Sequence, residues 1–221
     1  MKKTILNSVL IAVLAVGAVS CKDAKNGTDT KEAQEVAEAT EMSVEYTVDT
    51  AASKVQWEGS KPAGTHNGTV NVSSGTVSTN DGVIEAGNFV IDMSSITVED
   101  LEGEGKESLE AHLKGTVDEK KEDFFNINQY PTASFELTGV SNKEGKTMVD
   151  GNLTIKDKTN NISFPATVAM NGDSMTLTSE PFVIDRTEWG VNFMSKSVFD
   201  DLKDKFISDD ITLTVRLVAT K

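Results

Sequence analysis

From Val44 to the C-terminus, apolar residues recur at every second position and polar residues largely fill the places between. Val44, Tyr46 and Val48 alternate first, then Val55 and Trp57 after a short break, then Val70 and Val72 beyond Gly68. The same period carries Phe89, Ile91 and Met93, Phe135 and Leu137, and Leu153 and Ile155. It continues through Ile162, Phe164, Ala166, Val168 and Met170, and through Met175 and Leu177. The last run is the cleanest, with Ile211, Leu213, Val215, Leu217 and Ala219 on one side and Thr212, Thr214, Arg216 and Thr220 largely on the other. A period of two is that of a strand with one buried face. Turn-forming residues separate the runs at Asn80-Asp81-Gly82, Ser141–Gly145 and Asn171-Gly172-Asp173, the first a strong hairpin turn because its central residues accept positive φ cheaply. The pattern predicts eight or nine antiparallel strands with one apolar face each.

Two segments break the series. Asp100 to Phe125 reads as helix and loop, with Leu109, Leu113 and Val117 at four-residue spacing. Ser197 to Phe206 reads as a second short helix, its apolar stripe Val198, Phe199, Leu202 and Phe206, its polar side Asp200, Asp201, Lys203 and Asp204, and its start capped by Ser195 or Ser197. Between the first helix and the next strand, Phe124, Phe125, Tyr130 and Phe135 crowd into a short stretch. Tyr130 precedes Pro131 and is driven into extended geometry, which marks the switch to strand. Adjacent Phe124 and Phe125 cannot share one face of a strand. They are expected to fold over the end of the sheet as a plug, or to close over a cavity that holds something apolar.

So many one-faced strands bury their apolar side either as two packed sheets or as one sheet closed into a barrel. Periodicity leaves both open. A barrel of about eight strands has an interior that side chains fill or that holds one small ligand.

The N-terminus changes the picture of where this domain works. Lys2 and Lys3 precede an apolar run from Ile5 to Val19, and Ala18-Val19-Ser20 leads into Cys21. This reads as a secretory signal over residues 1–20, too short to span a bilayer, whose ending resembles a bacterial lipobox. Cys21 is the sole cysteine, so disulfides cannot hold the fold and a hydrophobic core must. Acylation of Cys21 is the expected use of that thiol, which places the protein in the bacterial cell envelope on a lipid anchor, at the periplasmic face or the cell surface. Residues 21–43 then read as the lipidated cysteine and a flexible tether. They carry many Lys, Asp, Glu, Ala and Thr and no aromatic, too little apolar surface to offset ordering. Residues 44–221 form the domain. Loss of Lys2 and Lys3 takes the formal charge from −14 to −16, which argues against nucleic acid or an anionic membrane surface as a partner.

Groups suited to catalysis are few. His66 and His112 have no His-x-His or His-x₃-His spacing, so no metal centre is expected. No Gly-x-Ser-x-Gly turn and no Asp-rich calcium loop occurs. Asp185-Arg186-Thr187-Glu188-Trp189-Gly190 sets a carboxylate beside a guanidinium, as an ion-paired strand end or as a surface facing a ligand's polar head. No cofactor is called for.

A set of short motifs in order carries a family resemblance: Trp57 with His66-Asn67-Gly68, Gly87-Asn88-Phe89-Val90-Ile91-Asp92, Leu109-Glu110-Ala111-His112-Leu113-Lys114, Asp123-Phe124-Phe125, Tyr130-Pro131-Thr132-Ala133-Ser134-Phe135, Gly151-Asn152-Leu153-Thr154-Ile155 and Phe182 through Gly190. From Tyr46 onward the chain resembles the YceI-like family of lipid- and polyisoprenoid-binding periplasmic proteins. The resemblance implies a lipocalin-like antiparallel β-barrel with helices at one end, enclosing a long apolar channel for an isoprenoid or similar amphiphile. Many members have glycine in the loop after the strand ending at Ile155, where this chain reads Lys156-Asp157-Lys158-Thr159; a changed turn is expected there. The implied function is binding, storage or transport of a long-chain lipid rather than catalysis. The alternatives are an enzyme acting on such a lipid, with His66 or His112 as base, and a filled-barrel surface or stress protein. The expected channel walls are Trp57, Phe89, Ile91, Phe124, Phe125, Phe135, Leu137, Leu153, Ile155, Phe164, Val168, Trp189, Leu213 and Val215. Asp185, Arg186 and His112 are the expected head-group contacts.

Overall fold

The computed structural model describes residues 27–221. Cys21 and the expected signal peptide lie outside the described residues. The strands are β1 (Lys31–Glu32), β2 (Val44–Val48), β3 (Lys54–Lys61), β4 (Gly64–Asn80), β5 (Val83–Val98), β6 (Thr132–Lys143), β7 (Lys146–Ile155), β8 (Lys158–Asn171), β9 (Ser174–Ser179), β10 (Phe182–Asp185) and β11 (Asp210–Thr220), with one α-helix, α1 (Gly103–Lys114), between β5 and β6. All pairings are antiparallel. β4 through β9 pair in sequence order, β9 pairs β11, β11 pairs β3, and β3 returns to β4, which closes a ring of 8 strands. Closure selects the barrel over the sandwich. β2 and β10 prolong the positions of β3 and β9: β2 pairs with β4 and the end of β11, and β10 with the start of β11.

Alternation fixes which face is inside. Phe89, Phe135 and Leu153 lie opposite one another across β5, β6 and β7 and are all buried. Their chain neighbours point outward, as the pleat requires. Register shifts between Thr69 and Asn71, Val72 and Ser74, and Ser78 and Thr79 interrupt the long β4–β5 ladder, local bends that help a sheet curl into a ring. The β4–β5 hairpin turns on Asp81 and Gly82, both at positive φ as expected. Lys156 and Asp157, at φ 49° and 61°, make an equally tight turn between β7 and β8 without glycine. The anticipated change there is therefore in the residues carrying the left-handed backbone, at some strain, rather than in the shape of the turn. Lys156 is partly buried with its Nζ 5.9 Å from the Tyr130 ring centre, and burial lowers the pKa of its ammonium against the nearby Glu122 carboxylate, which raises it.

One end of the barrel gathers the β3–β4 and β7–β8 turns, the α1 insertion and the long connection from Arg186 to Asp209. α1 stops at Gly115, whose left-handed φ of 68° turns the chain back, and the amides of Gly115 and Thr116 bond to His112 and Ala111 carbonyls. Val117, expected on the apolar stripe of the helix, thus lies beyond it and is exposed. Phe125 and Ile127 donate backbone bonds to Leu113 and Lys114 carbonyls, which folds the Phe124-Phe125 pair under the helix. The second expected helix does not form: Ser197–Phe206 is a run of turns with a single 3-10 turn at Lys203–Lys205. Asp201 and Lys203 sit at positive φ, outside helical geometry, and Val198 and Phe199 are about half exposed instead of lining a stripe. The carbonyls on either side of this segment are taken by a buried arginine, described below.

Residues 27–43 also differ from expectation. They are mostly exposed, as their composition requires, yet they lie strapped along the outer barrel wall. Thr28 N donates to Val183 O of β10 at 2.7 Å, and β1 pairs with Asn160 and Asn161 of β8. Gln34 N donates to Asn152 Oδ1 at 2.9 Å, and Asn152 Nδ2 donates to Gln34 O at 2.8 Å. Ala37 N donates to Leu137 O at 2.9 Å, and Thr40 donates twice to Glu85 Oε2. Backbone bonds and polar side chains of the wall together hold this strap, with little apolar burial from the strap itself.

Candidate functional site

A cavity of about 350 Å³ runs inside the ring. Four phenylalanine rings form a belt on one side of it: Phe89 lies 6.3 Å from Phe135, Phe135 lies 5.7 Å from Phe164, and Phe164 stacks on Phe182 at 4.4 Å. The belt passes β7 without a ring of its own. There Gly151 faces inward, and a Cβ at this position would stand 2.1 Å from Phe135 Cζ. Glycine lets the Phe135 ring lie flat on the wall, so the lumen beneath stays open. On the opposite side Ile211, Leu213, Val215 and Leu217 of β11 face in beside Val55 and Trp57 of β3. Trp189, 1% exposed, sits in the 3-10 turn Arg186–Trp189 that follows β10. Its Nε1 donates to Leu153 O at 2.9 Å, which ties the turn to β7 and leaves the ring as apolar wall.

Thirteen of the expected wall residues line this cavity: Trp57, Phe89, Ile91, Phe124, Phe125, Phe135, Leu137, Leu153, Ile155, Phe164, Trp189, Leu213 and Val215. Val168 does not. It packs against the core farther along β8, near Met175 and Leu177, where buried Tyr46, Met175 and Ala219 fill the barrel at the end away from α1. Alternation predicts direction but not how far along a strand the lumen stays hollow. It also left out Ile184 of β10, Val149 of β7, and Leu109 and Leu113 of α1, all on the cavity wall.

The polar groups on the wall gather at the α1 end: Ser60, Lys61, His66, His112, Arg186 and Ser208. Two imidazole–carboxylate pairs stand there. His66 Nδ1 is 2.8 Å from Asp100 Oδ2, and Asn67 N donates to Asp100 Oδ1 at 3.0 Å. Burial raises the Asp100 pKa, but the Asn67 amide and His66 outweigh it and hold the carboxyl below its ordinary value. His112 Nε2 is 2.7 Å from Asp123 Oδ2, and its ring meets Phe124 and Phe193 edge-on at 5.0 and 5.1 Å. The shared mouth position of His66 and His112 was not visible in the sequence, where the two lie far apart on different elements.

Arg186 has a different part from the one expected. Its guanidinium is almost fully buried, and Nε, Nη1 and Nη2 donate to the carbonyls of Ser208, Val191, Phe193 and Ile207 at 2.6–3.1 Å, with Asp209 Oδ1 at 3.5 Å. Burial lowers the pKa of this group, while Asp209 and Asp185 act to raise it. The arginine clamps the two ends of the 191–209 connection and thereby shapes the mouth, with few donors left for a ligand head. Asp185 caps the turn that follows β10, accepting from Thr187 N at 3.0 Å and from Thr187 Oγ1 at 2.5 Å, and it is not on the cavity wall. Of the three expected head-group contacts, His112 alone presents at the mouth in a form suited to that task.

Residues 46–219 match the sequence model of the YceI-like domain. The chain belongs to the YceI-like family. Among solved structures it is similar to Burkholderia cenocepacia BcnA, with 25% identity, a TM-score of 0.60, and 78% of this chain and 99% of that one covered. A polyisoprenoid-binding domain from Saccharophagus degradans implicated in plant cell wall breakdown shares the fold at 13% identity and a TM-score of 0.54, over 79% of this chain and 97% of that one. No curated protein matches the chain. The family match begins at Tyr46, so the strap lies outside it.

Proposed function

We propose that this protein holds a long-chain apolar lipid, a polyisoprenoid or similar amphiphile, inside its barrel, and does so in the bacterial cell envelope on a lipid anchor at Cys21. The observation that carries the reading is the cavity of about 350 Å³, apolar along its length and polar only at the α1 end. That distribution suits a hydrocarbon tail inside and a hydrogen-bonding head at the mouth, and it agrees with membership of the YceI-like family and with the named ligand class of the Saccharophagus domain. Each buried methylene contributes about 0.8 kcal/mol. Ten of them correspond to about 8 kcal/mol, the free energy of a micromolar dissociation constant, before the cost of association is subtracted. Such affinity needs no elaborate polar site. His66 and His112 each have one ring nitrogen engaged by a carboxylate, which leaves the other for a hydroxyl or phosphate oxygen.

Purified protein covering residues 22–221, extracted into organic solvent and read by mass spectrometry, is expected to release a long-chain lipid. Protein that carries none, and takes up neither prenyl nor acyl lipid from micelles, overturns the carrier reading. The anchor is tested separately. Wild-type chain expressed with its signal should enter the detergent phase of a partition, and Cys21→Ser should not. The two imidazole–carboxylate pairs favour a second reading, an enzyme acting on the head group. It predicts a chemically altered lipid after incubation, lost in His66→Ala or His112→Ala, whereas the carrier reading predicts an unchanged lipid and retained binding in both variants.

A further inference from the structure

Volume and depth of the cavity agree on how much tail it holds. The volume is about 350 Å³. A methylene takes about the space of one water molecule in its liquid, roughly 30 Å³, so about twelve carbons fill it. The depth leads to the same length. On β11 the cavity wall runs from Ile211 to Leu217, six steps of about 3.3 Å, or roughly 15 Å along the axis at a strand tilt of about 40°. An extended chain advances about 1.2 Å per bond, as the peptide backbone does at ~3.6 Å for its three bonds. About twelve or thirteen carbons laid straight span that depth.

A floor sets this depth. Leu177 and Leu217, partners across β9 and β11, are the last residues of those strands on the wall. One layer farther from the mouth, Met175 stands opposite Ala219. Both are fully buried, and neither reaches the cavity. Tyr46 of β2 is buried at the same end, opposite Val77 of β4. The Lys221 ammonium lies 5.6 Å from the centre of its ring. Lys221 in turn is fastened to Asp173, Nζ to Oδ1 at 3.3 Å and amide to carbonyl at 3.0 Å. Polar surface begins directly beyond the Tyr46 ring, so a tail entering at the α1 end has no apolar path out of the other.

We infer that Met175, Ala219 and Tyr46 form a floor that limits the ligand to a single tail of about twelve to fifteen carbons, a prenyl group of about three isoprene units or one acyl chain of similar length. This rests on the carrier reading above and narrows its ligand class. A longer polyprenyl chain leaves its excess outside the mouth in water, where further carbons add nothing to affinity. A lipid with two long acyl chains fails the same volume test. Met175 and Tyr46 touch no ligand in this arrangement; they determine specificity by ending the lumen.

The test uses protein covering residues 22–221, which holds all the described residues, stripped of bound lipid on a hydrophobic resin. It is titrated with straight-chain primary alcohols of rising length, with farnesol and with geranylgeraniol, each presented from cyclodextrin and referred to free lipid in water. Trp57 and Trp189, the two tryptophans of the chain, both stand on the cavity wall, so their fluorescence reads filling directly. Affinity should rise about fourfold per added carbon, which corresponds to about 0.8 kcal/mol. The rise should stop at about twelve to fifteen carbons, and geranylgeraniol should bind about as tightly as farnesol. Met175→Ala should move the break up by about two or three carbons, the space its side chain gives back. Leu177→Phe adds bulk on the hollow side of the floor and leaves the packing beneath it in place, so it should move the break down by a similar amount. Affinity that keeps rising past about twenty carbons, geranylgeraniol bound more than about tenfold tighter than farnesol, or a break left in place by either folded variant overturns the floor and leaves the carrier standing. Protein that binds none of these lipids overturns the carrier reading and the floor with it.

Discussion

Adding one methyl group at Gly151 should fill part of the cavity without unfolding the barrel. An alanine Cβ there would lie 2.1, 2.5 and 2.6 Å from Cζ, Cε1 and Cε2 of Phe135. Carbon atoms sit at about 3.5–4.0 Å at best, so the ring has to retreat by more than an ångström. The backbone of β6 and β7 is held by its ladder, and the free space is the lumen. The swing weakens the Phe135 pairs with Phe89 and Phe164, each worth about 0.5–1.5 kcal/mol. Alanine in place of glycine in a strand returns roughly 0.5–1 kcal/mol. The net loss in apo stability should therefore be about 1 kcal/mol, measured by urea denaturation. Ligand affinity should suffer more. A phenyl ring entering the lumen evicts two or three methylenes of tail, at about 0.8 kcal/mol each, or roughly 10–60-fold in dissociation constant. Removing the ring as well should reverse this: Gly151→Ala with Phe135→Ala should bind at least as well as Gly151→Ala alone and prefer a longer chain. A stability loss above about 3 kcal/mol would mean the ring has nowhere to go and the barrel is filled. Unchanged affinity in Gly151→Ala, or no rescue in the double variant, would place the lipid elsewhere.

Leu213→Lys should cost either folding or ligand because an unpaired ammonium would enter the cavity, while Thr214→Lys on the outward side should cost neither; identical behaviour by thermal melt and lipid titration would mean inside and outside are misassigned. Arg186→Met should destabilise the fold by about 3–5 kcal/mol and raise proteolysis within 191–209, since it strips the clamp from four carbonyls; a stable variant that loses only lipid would return Arg186 to a head-group role. The Thr40 end of the strap should loosen in acid. Bonds from the Thr40 backbone and side chain and from Asn80 and Ser43 lower the Glu85 pKa, so the stabilisation is present above the unfolded carboxylate pKa of about 4.3 and is lost as pH falls through the lower folded value. Hydrogen exchange at Thr40 should accelerate across that window and not between pH 6 and 8; Glu85→Gln should remove the pH dependence.

Strand direction was legible because one face is uniformly apolar. β11 shows this best: Ile211, Leu213, Val215 and Leu217 all reach the cavity, as their spacing requires. The barrel was not legible from period two, which a sandwich shares; closure depends on β3 and β9 both pairing β11, a contact between ends of the chain. The hollow depends on something subtler. Phe135 reads as a core residue in any pattern, and so does Gly151 as a weak strand position. Only their register, with Gly151 opposite Leu137 and one step from Phe135, turns the pair into an open wall. Ser197–Phe206 failed as a helix for the same kind of reason. Its 3.6-residue stripe was present, but Arg186, contributed by an earlier element, holds the carbonyls that flank it.

The strap shows where composition misleads when it is applied to a segment by itself. Residues 27–43 bury little, and nothing in them suggests order. What orders them is the wall: Asn152 and Asn161 occupy outward positions of β7 and β8 and are 4% and 6% exposed beneath the strap. Asn161 Nδ2 bonds to Thr138 Oγ1 and Asn152 Oδ1, and Asn152 completes the set with Gln34. The reason for such a covering lies in the sheet. β9 pairs with β8 only from Ala166 onward, and Glu180 N reaches Pro165 O, which leaves the 158–164 half of β8 without a partner from β9 on that edge. An unpaired edge invites pairing with another chain. β1 occupies it at Asn160 and Asn161, and Asn160 Nδ2 donates to Glu188 O in the turn beyond β10. A chain cut at Val44 would expose that edge together with two buried amides. It should be less stable and more prone to associate than one beginning at Lys22, although both contain every strand of the closed ring.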